Sequence, residues 1–162
     1  MTMLTQFFVS DLPRRVGDTY EFNSEDAHHA VRVLRINAGE HIRLSDGNGA
    51  WSDVKVTAVL KKSLEVVVEN TGYEDQQEVE ITVVQALPKG DHLKDAVELL
   101  TEVGVDTIVP WAASRSIGKA DKGIEKIVTT AREASKQSRR FRIPTVVGVA
   151  TTENIIDVLK HT

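Results

Sequence analysis

The sequence predicts an α+β chain of two domains, a β-rich barrel-like module over residues 1–72 and the front part of an α/β domain over residues 73–162. Three features predict it: short alternating apolar runs with one short helical stretch before residue 70, a polar acidic run at Thr71–Gln77, and strand–helix alternation afterwards. In the first module Phe7-Phe8-Val9 is a short apolar start, broken at Leu12-Pro13. Asp26–Arg35 has helical spacing, with Ala27, Ala30, Val31 and Leu34 on one face and Gly39 beyond its end. His41–Ser45 and Trp51–Leu60 alternate as strands around Asp46-Gly47-Asn48-Gly49, a run whose residues accept positive φ in a tight turn. Leu64–Val68 is a third strand candidate, and Thr71–Gln77 reads as the linker.

In the second module Val79–Leu87 is nearly continuous and rich in β-branched residues, which predicts a strand buried on both faces. Asp91–Val103 places Leu93, Ala96, Val97 and Leu100 on one helical face, with Gly104 where a left-handed helix end belongs. Thr107-Ile108-Val109 is a short buried strand stopped by Pro110. Asp121–Ser138 is a helix with Ile124, Ile127, Val128, Ala131, Ala134 and Ser135 inward, and Val146–Val149 is a third strand. Thr152 is placed to cap a last helix through Ile155, Ile156 and Leu159. Three parallel strands leave an open edge, and the final periodicity reaches His161-Thr162 without a Gly or Pro stop. A longer α/β domain is therefore expected.

Composition narrows the chemistry. The 162 residues include no cysteine, which excludes disulfides, thiolate nucleophiles and Cys-based metal sites. No apolar run approaches the ~20 residues of a membrane span and no signal-peptide pattern opens the chain, so a soluble intracellular protein is expected. The net charge of −4 hides an asymmetry. Glu65–Glu80 holds six acids and no Lys or Arg, whereas Arg132–Arg142 holds five bases against Glu133 alone. The basic run has two readings, a patch that attracts phosphates and a solvated helix end that favours the macrodipole.

No GxGxxG, P-loop or HExxH pattern occurs, and His28-His29 point ~100° apart on a helix, so no metal site is expected. Leu87-Pro88-Lys89-Gly90-Asp91 follows a strand and opens a helix. Lys89 and the amides near Gly90 then form a docking edge for a phosphate, or an ordinary turn with Asp91 as N-cap. In Ala131–Arg142, Glu133, Gln137 and Arg140 fall on one stripe, beside the small residues Ala131, Ala134 and Ser138. That stripe reads as a hydrogen-bonding surface for RNA, a polar flank or a subunit interface.

Together FFV at Phe7–Val9, HHAVRVLRINAGE at His28–Glu40, DGNG at Asp46–Gly49, ALPKGDHLKDAVELLTEVGVDTIVPWAASRS at Ala86–Ser116 and AREASKQSRR at Ala131–Arg140 resemble one family. It is the ribosomal RNA small subunit methyltransferase E family, a SPOUT-class group, and the spelling with Trp111 is similar to its actinobacterial branch. The resemblance implies a PUA-like RNA-binding β-barrel at 1–72 and the front part of a SPOUT trefoil-knot domain at 73–162, a knot being a rare exception in topology. It further implies methylation of N3 of one uridine in 16S rRNA of the small ribosomal subunit, with S-adenosyl-L-methionine as donor, by a cytoplasmic homodimer that needs neither DNA nor membrane. The Gly-rich loop that holds the donor in that family is expected beyond Thr162, so the chain alone is expected to be inactive.

Uridine N3 becomes nucleophilic only when its proton leaves, so donors must meet the charge that develops on O2 and O4. Arg115, after the second α/β strand, and Arg139, after the AREA helix, are the candidates for that catalytic task. Arg32, Arg35, Lys89, Gln137, Arg139 and Arg140 are the candidate RNA contacts, with a solvated helix face as the equal alternative for Arg32 and Arg35. Two other readings stand beside the enzyme: a non-catalytic RNA-binding protein, and a dimeric scaffold that uses the AREASKQS helix as its interface.

Overall fold

Alternating apolar residues build the first of two sheets in this computed structural model, which describes residues 4–88, 92–113 and 120–160. The chain divides into two compact units, Met1–Gln76 and Gln77–Thr162.

The first unit contains β1 (Thr5–Phe8), β2 (Thr19–Phe22), α1 (Glu25–Arg32), β3 (His41–Ser45), β4 (Ala50–Val59) and β5 (Leu64–Tyr73). Its strand order is β1-β3-β4-β5-β2, with β1 parallel to β3 and the other pairs antiparallel. Among the described residues β1 and β2 end the path, and the barrel-like module expected is a curled half-barrel. Register shifts in β4 at Asp53/Val54 and Val56/Ala58 add local bend. Phe7, Phe22, Ile42, Leu44, Val54, Val56, Leu64, Val66 and Val68 fill its concave side, and the Phe7 and Phe22 rings lie 5.3 Å apart. The Ser24 side chain caps α1 by accepting from the Ala27 N–H, with Glu25 and Asp26 suited to the positive helix end.

Two expectations for this unit need correction, and one strand is additional. The helix stops at Arg32, and a left-handed Arg35 redirects the chain so that Ile36, not Leu34, enters the core. β5 continues through Thr71–Tyr73, which pair with β4 instead of forming linker. β2 is additional, because Tyr20 and Phe22 alone give too short an apolar alternation to mark a strand.

The strand extension depends on a missing side chain. Trp51 faces Gly72 across β4 and β5, and a Cβ at Gly72 would lie within the indole's van der Waals radius. The Arg43 guanidinium sits 4.4 Å from the same ring and donates to Asp53 at 2.8 Å. The next turn is held by Asp46, whose Oδ1 accepts from the N–H groups of Asn48 and Ala50.

The second unit contains β6 (Thr82–Ala86), α2 (His92–Glu102), β7 (Thr107–Ala112), α3 (Ala120–Ser138), β8 (Thr145–Val146), β9 (Ala150–Thr151) and α4 (Ile155–Leu159). β7 pairs in parallel with β6, β8 and β9. Leu93, Val97, Ile127 and Ala131 pack α2 and α3 with Ile108 and Val105, as the helical spacing predicts, whereas Val128, expected on the same inner stripe, is exposed at its edge. β6 is half-buried throughout rather than buried on both faces, because its described ladder is with β7 alone, and Val79 and Ile81 are exposed.

Pro110 does not stop β7. Leu87 N–H donates to Trp111 C=O and Val147 N–H to Ile108 C=O, so alternation turns residues 108 and 110 toward β8 and β9. Where β8 ends at Val146 and β9 begins at Ala150 the ladder lapses, and the proline's absent donor faces that gap. The single third strand expected at Val146–Val149 is thereby two short ones. Thr152 accepts from Trp111 Nε1 at 3.3 Å, and Asn154 takes the N-cap position of α4.

Gly72→Ala is expected to destabilise the chain by about 1–3 kcal/mol through overpacking. Combining it with Trp51→Ala should cost less than the two single changes summed, as measured by thermal unfolding in a double-mutant cycle.

Candidate functional site

The candidate residues separate into a helix exit in the first unit, a helix exit in the second, and the C-terminal edge of the parallel sheet. In the first unit Arg32 is exposed in the last turn of α1, and Arg35 is exposed at φ 54. Two other arginines of this unit have carboxylate partners: Arg14 lies 2.8 Å from Asp46, and Arg43 is held by Asp53.

Small residues shape the second helix exit. Ser135 and Ser138 return their hydroxyls to the carbonyls of Ala131 and Ala134, each at 2.7 Å, while Ala131, Ala134 and Ser135 are buried. α3 ends when Arg139 turns left-handed at φ 58 and the Arg140 N–H bonds back to the Ser135 C=O at 2.9 Å. Gln137 and Arg139 are exposed there. Lys136 is paired with Glu133 at 2.6 Å, its side chain 11% exposed.

Arg140 has another task. Its Nη1 donates to the carbonyls of Thr101 at 3.0 Å and Val105 at 2.8 Å, Nη2 to that of Gly104 at 3.4 Å, and Asp106 lies 3.6 Å away. It therefore leaves the exposed stripe that Glu133 and Gln137 share, and its guanidinium serves as a cap at the end of α2. Asp106 carries the link further, accepting from the Ile81 N–H at 2.9 Å and, through its backbone C=O, from Thr145. No sequence signal distinguished Arg140 from its basic neighbours, since charge is legible and direction is not.

Lys89 and Arg115 lie outside the described residues, as do Gly90 and Asp91. Leu87 is buried where β6 ends, and Trp111 is half-buried near the end of β7. The structure does not bring Arg139 to the C-terminal edge of the sheet. Arg140, its neighbour, grips Val105, just before β7, and Ala112 at the other end of β7 is five strand steps away, about 17 Å at ~3.3 Å each.

One groove of the first unit is acidic and does not favour phosphate. Thr19, Tyr20, Glu21, Thr57, Glu65 and Val66 line a groove of about 300 Å³ with two carboxylates, and Glu21 and Glu65 are directly opposite across β2 and β5. Burial, and then Asp11, push the Tyr20 hydroxyl above its ordinary pKa. At the start of the last helix, a hydrogen bond from Thr151 and one from its own backbone hold Glu153 below the usual carboxylate range. Among the described residues no group of three or more His, Cys, Asp or Glu is placed to hold a metal, and no helix is long and apolar enough to cross a membrane.

Residues 75–162, more than half of the chain, match the RNA methyltransferase domain, and residues 22–69 match the RNA methyltransferase PUA domain. The Ribosomal RNA small subunit methyltransferase E of Mycobacterium tuberculosis is 34% identical over 160 residues, covering 96% of this chain and 61% of that protein. This chain belongs to the ribosomal RNA small subunit methyltransferase E family. The Bacillus subtilis member is 29% identical over 161 residues, covering 94% of this chain and 63% of its own length. The fold matches that of the Neisseria gonorrhoeae member, solved bound to S-adenosyl methionine, with a TM-score of 0.84 at 24% identity over 96% of this chain and 66% of that one. The chain thus spans about three-fifths of the length of the curated methyltransferase E relatives it matches.

Arg140→Ala is expected to destabilise the chain by about 2–4 kcal/mol, because several carbonyls and Asp106 lose a charged partner in a mostly buried setting. Arg140→Lys should recover little of this, since one ammonium cannot span the three carbonyls. Chemical denaturation midpoints at constant m-value measure both.

Proposed function

We propose that this chain is the RNA-holding part, with the front of the catalytic domain, of an enzyme that methylates N3 of a uridine in 16S rRNA. The observation that carries this reading is the succession of a PUA match and an RNA methyltransferase match along one chain. On this reading residues 1–72 form the RNA-binding domain and residues 73–162 begin a knotted SPOUT domain. The working unit is a cytoplasmic homodimer acting on the small ribosomal subunit.

S-adenosyl-L-methionine supplies the electrophilic methyl group on its sulfonium. The protein's task is to align N3 with that methyl, accept the N3 proton and meet the charge spreading onto O2 and O4. Arg115 is proposed for the last role, because ligands of open α/β sheets bind beyond the carboxyl ends of the strands. Lys89 belongs to the same edge by sequence. Arg139 stands about one strand length away, so within one chain it serves the RNA rather than the reacting base. Arg32, Arg35 and Gln137, all exposed, complete the proposed RNA contacts.

None of the described residues is assigned to the donor. Its pocket is proposed to need the part of the relatives that this chain does not match, and the 162 residues alone to transfer no methyl group.

The test is methyl transfer from labelled S-adenosyl-L-methionine to small ribosomal subunits, comparing this chain with a version carrying the remaining two-fifths of a relative. Activity in the extended protein alone is expected, with the label on uridine N3. Inactivity of both, with RNA binding retained, would leave a non-catalytic RNA-binding protein, and label on another atom would end the N3 assignment.

A further inference from the structure

Among the described residues, five glycines adopt left-handed backbone: Gly17, Gly39, Gly47, Gly49 and Gly104. The other two residues there are arginines, Arg35 at φ 54 and Arg139 at φ 58. Each is exposed and stands where the chain leaves a helix, α1 in one unit and α3 in the other. The exit of α2 supplies an internal comparison, because there the left-handed residue is Gly104 at φ 96.

A side chain in this conformation brings its Cβ against the following carbonyl, whereas glycine has no such contact. Arginine thus closes these helices less favourably than glycine. A cation near a negative helix end is favourable in itself, but that benefit does not require a strained position. Arg32 already stands in the last turn of α1 and Lys136 in that of α3, both within regular helix. The dipole is served without Arg35 or Arg139.

We infer that Arg35 and Arg139, each in a backbone conformation that favours glycine, use their guanidinium groups to bind sugar–phosphate oxygens of RNA, one contact from each unit. The inference rests on the RNA-binding reading above and singles out these two from the candidate set. Arginine suits the task through its permanent charge and its planar donors, which match two phosphate oxygens at once. The contacts would position the RNA and read no base.

The experiment uses the full 162-residue chain with Arg35→Gly, Arg139→Gly, Arg35→Lys and Arg139→Lys made singly. Thermal unfolding is measured for each, with affinity for a labelled transcript of small-subunit rRNA across a salt series. Each glycine variant should raise Tm by about 2–4 °C. It should also weaken RNA binding several-fold and flatten the log K against log salt slope by about 0.7–0.9. The lysine variants should keep the slope. Glycine variants that gain stability with affinity and slope unchanged would overturn the inference, and so would a fall in their Tm, which would make the arginines structural. If the unaltered chain shows no salt-dependent RNA affinity, the RNA-binding reading itself falls and takes the inference with it.

Discussion

The second unit is organised around one cation. The Arg140 guanidinium, arriving from the far end of α3, bonds the carbonyl of Thr101 in the last turn of α2 and those of Gly104 and Val105 just beyond it. Its side chain is only 18% exposed and Asp106 is 16% exposed, so the pair interacts with less screening than a surface bridge. Asp106 then bonds the Ile81 N–H ahead of β6 and the Thr145 N–H at the start of β8. Two helix ends and the starts of three strands thus meet in one polar network. Because that network occupies the N-terminal edge of the sheet, the opposite edge is left for loops that can vary with a ligand.

The first unit uses a different device for the same purpose. There a flat aromatic ring faces a residue without a side chain, and an ion pair closes over it. Gly72 lets β5 stay in register with β4 beneath Trp51, and Arg43 meets both the ring and Asp53. An arginine held in this way has little freedom to reach RNA, and Arg14 is similarly paired with Asp46. Lysine and arginine totals therefore overstate the cationic surface: the useful quantity is how many guanidinium groups lack a carboxylate or carbonyl that already holds them.

Much of the fold was legible because it follows periodicity. The inner residues of α2 and most of those of α3, and the alternation in β3 and β4, came from spacing, and the Asp46–Gly49 turn from its turn-forming residues. The errors occurred where a single dihedral or a neighbouring strand decides. Leu34 fits the helical stripe of Ala27 and Ala30, yet one left-handed residue gives the core position to Ile36. Pro110 reads as a stop, yet it lies in β7 because β8 and β9 leave a gap opposite it. The candidate site was less legible for the same reason. Arg139 and Arg140 are adjacent and chemically identical, and only the turn between helix and strand sends one outward and the other onto the end of α2.

The separation of the two sheet edges constrains how such a protein can meet its RNA. On the proposed reading, the reacting uridine lies beyond the C-terminal ends of β6 and β7, while Arg139 lies near their beginnings. Five strand steps of ~3.3 Å match about five base steps at ~3.4 Å per nucleotide along one strand of a duplex. A phosphate held at Arg139 is then several nucleotides from the methylated base, so the grip cannot identify the base directly. It can identify the shape of the RNA segment between the two points, since only a segment with the right span reaches both. Target choice on this geometry is a property of the folded ribosomal RNA rather than of a short sequence. On the proposed reading, an assembled subunit would hold that span in place where a free oligonucleotide would not.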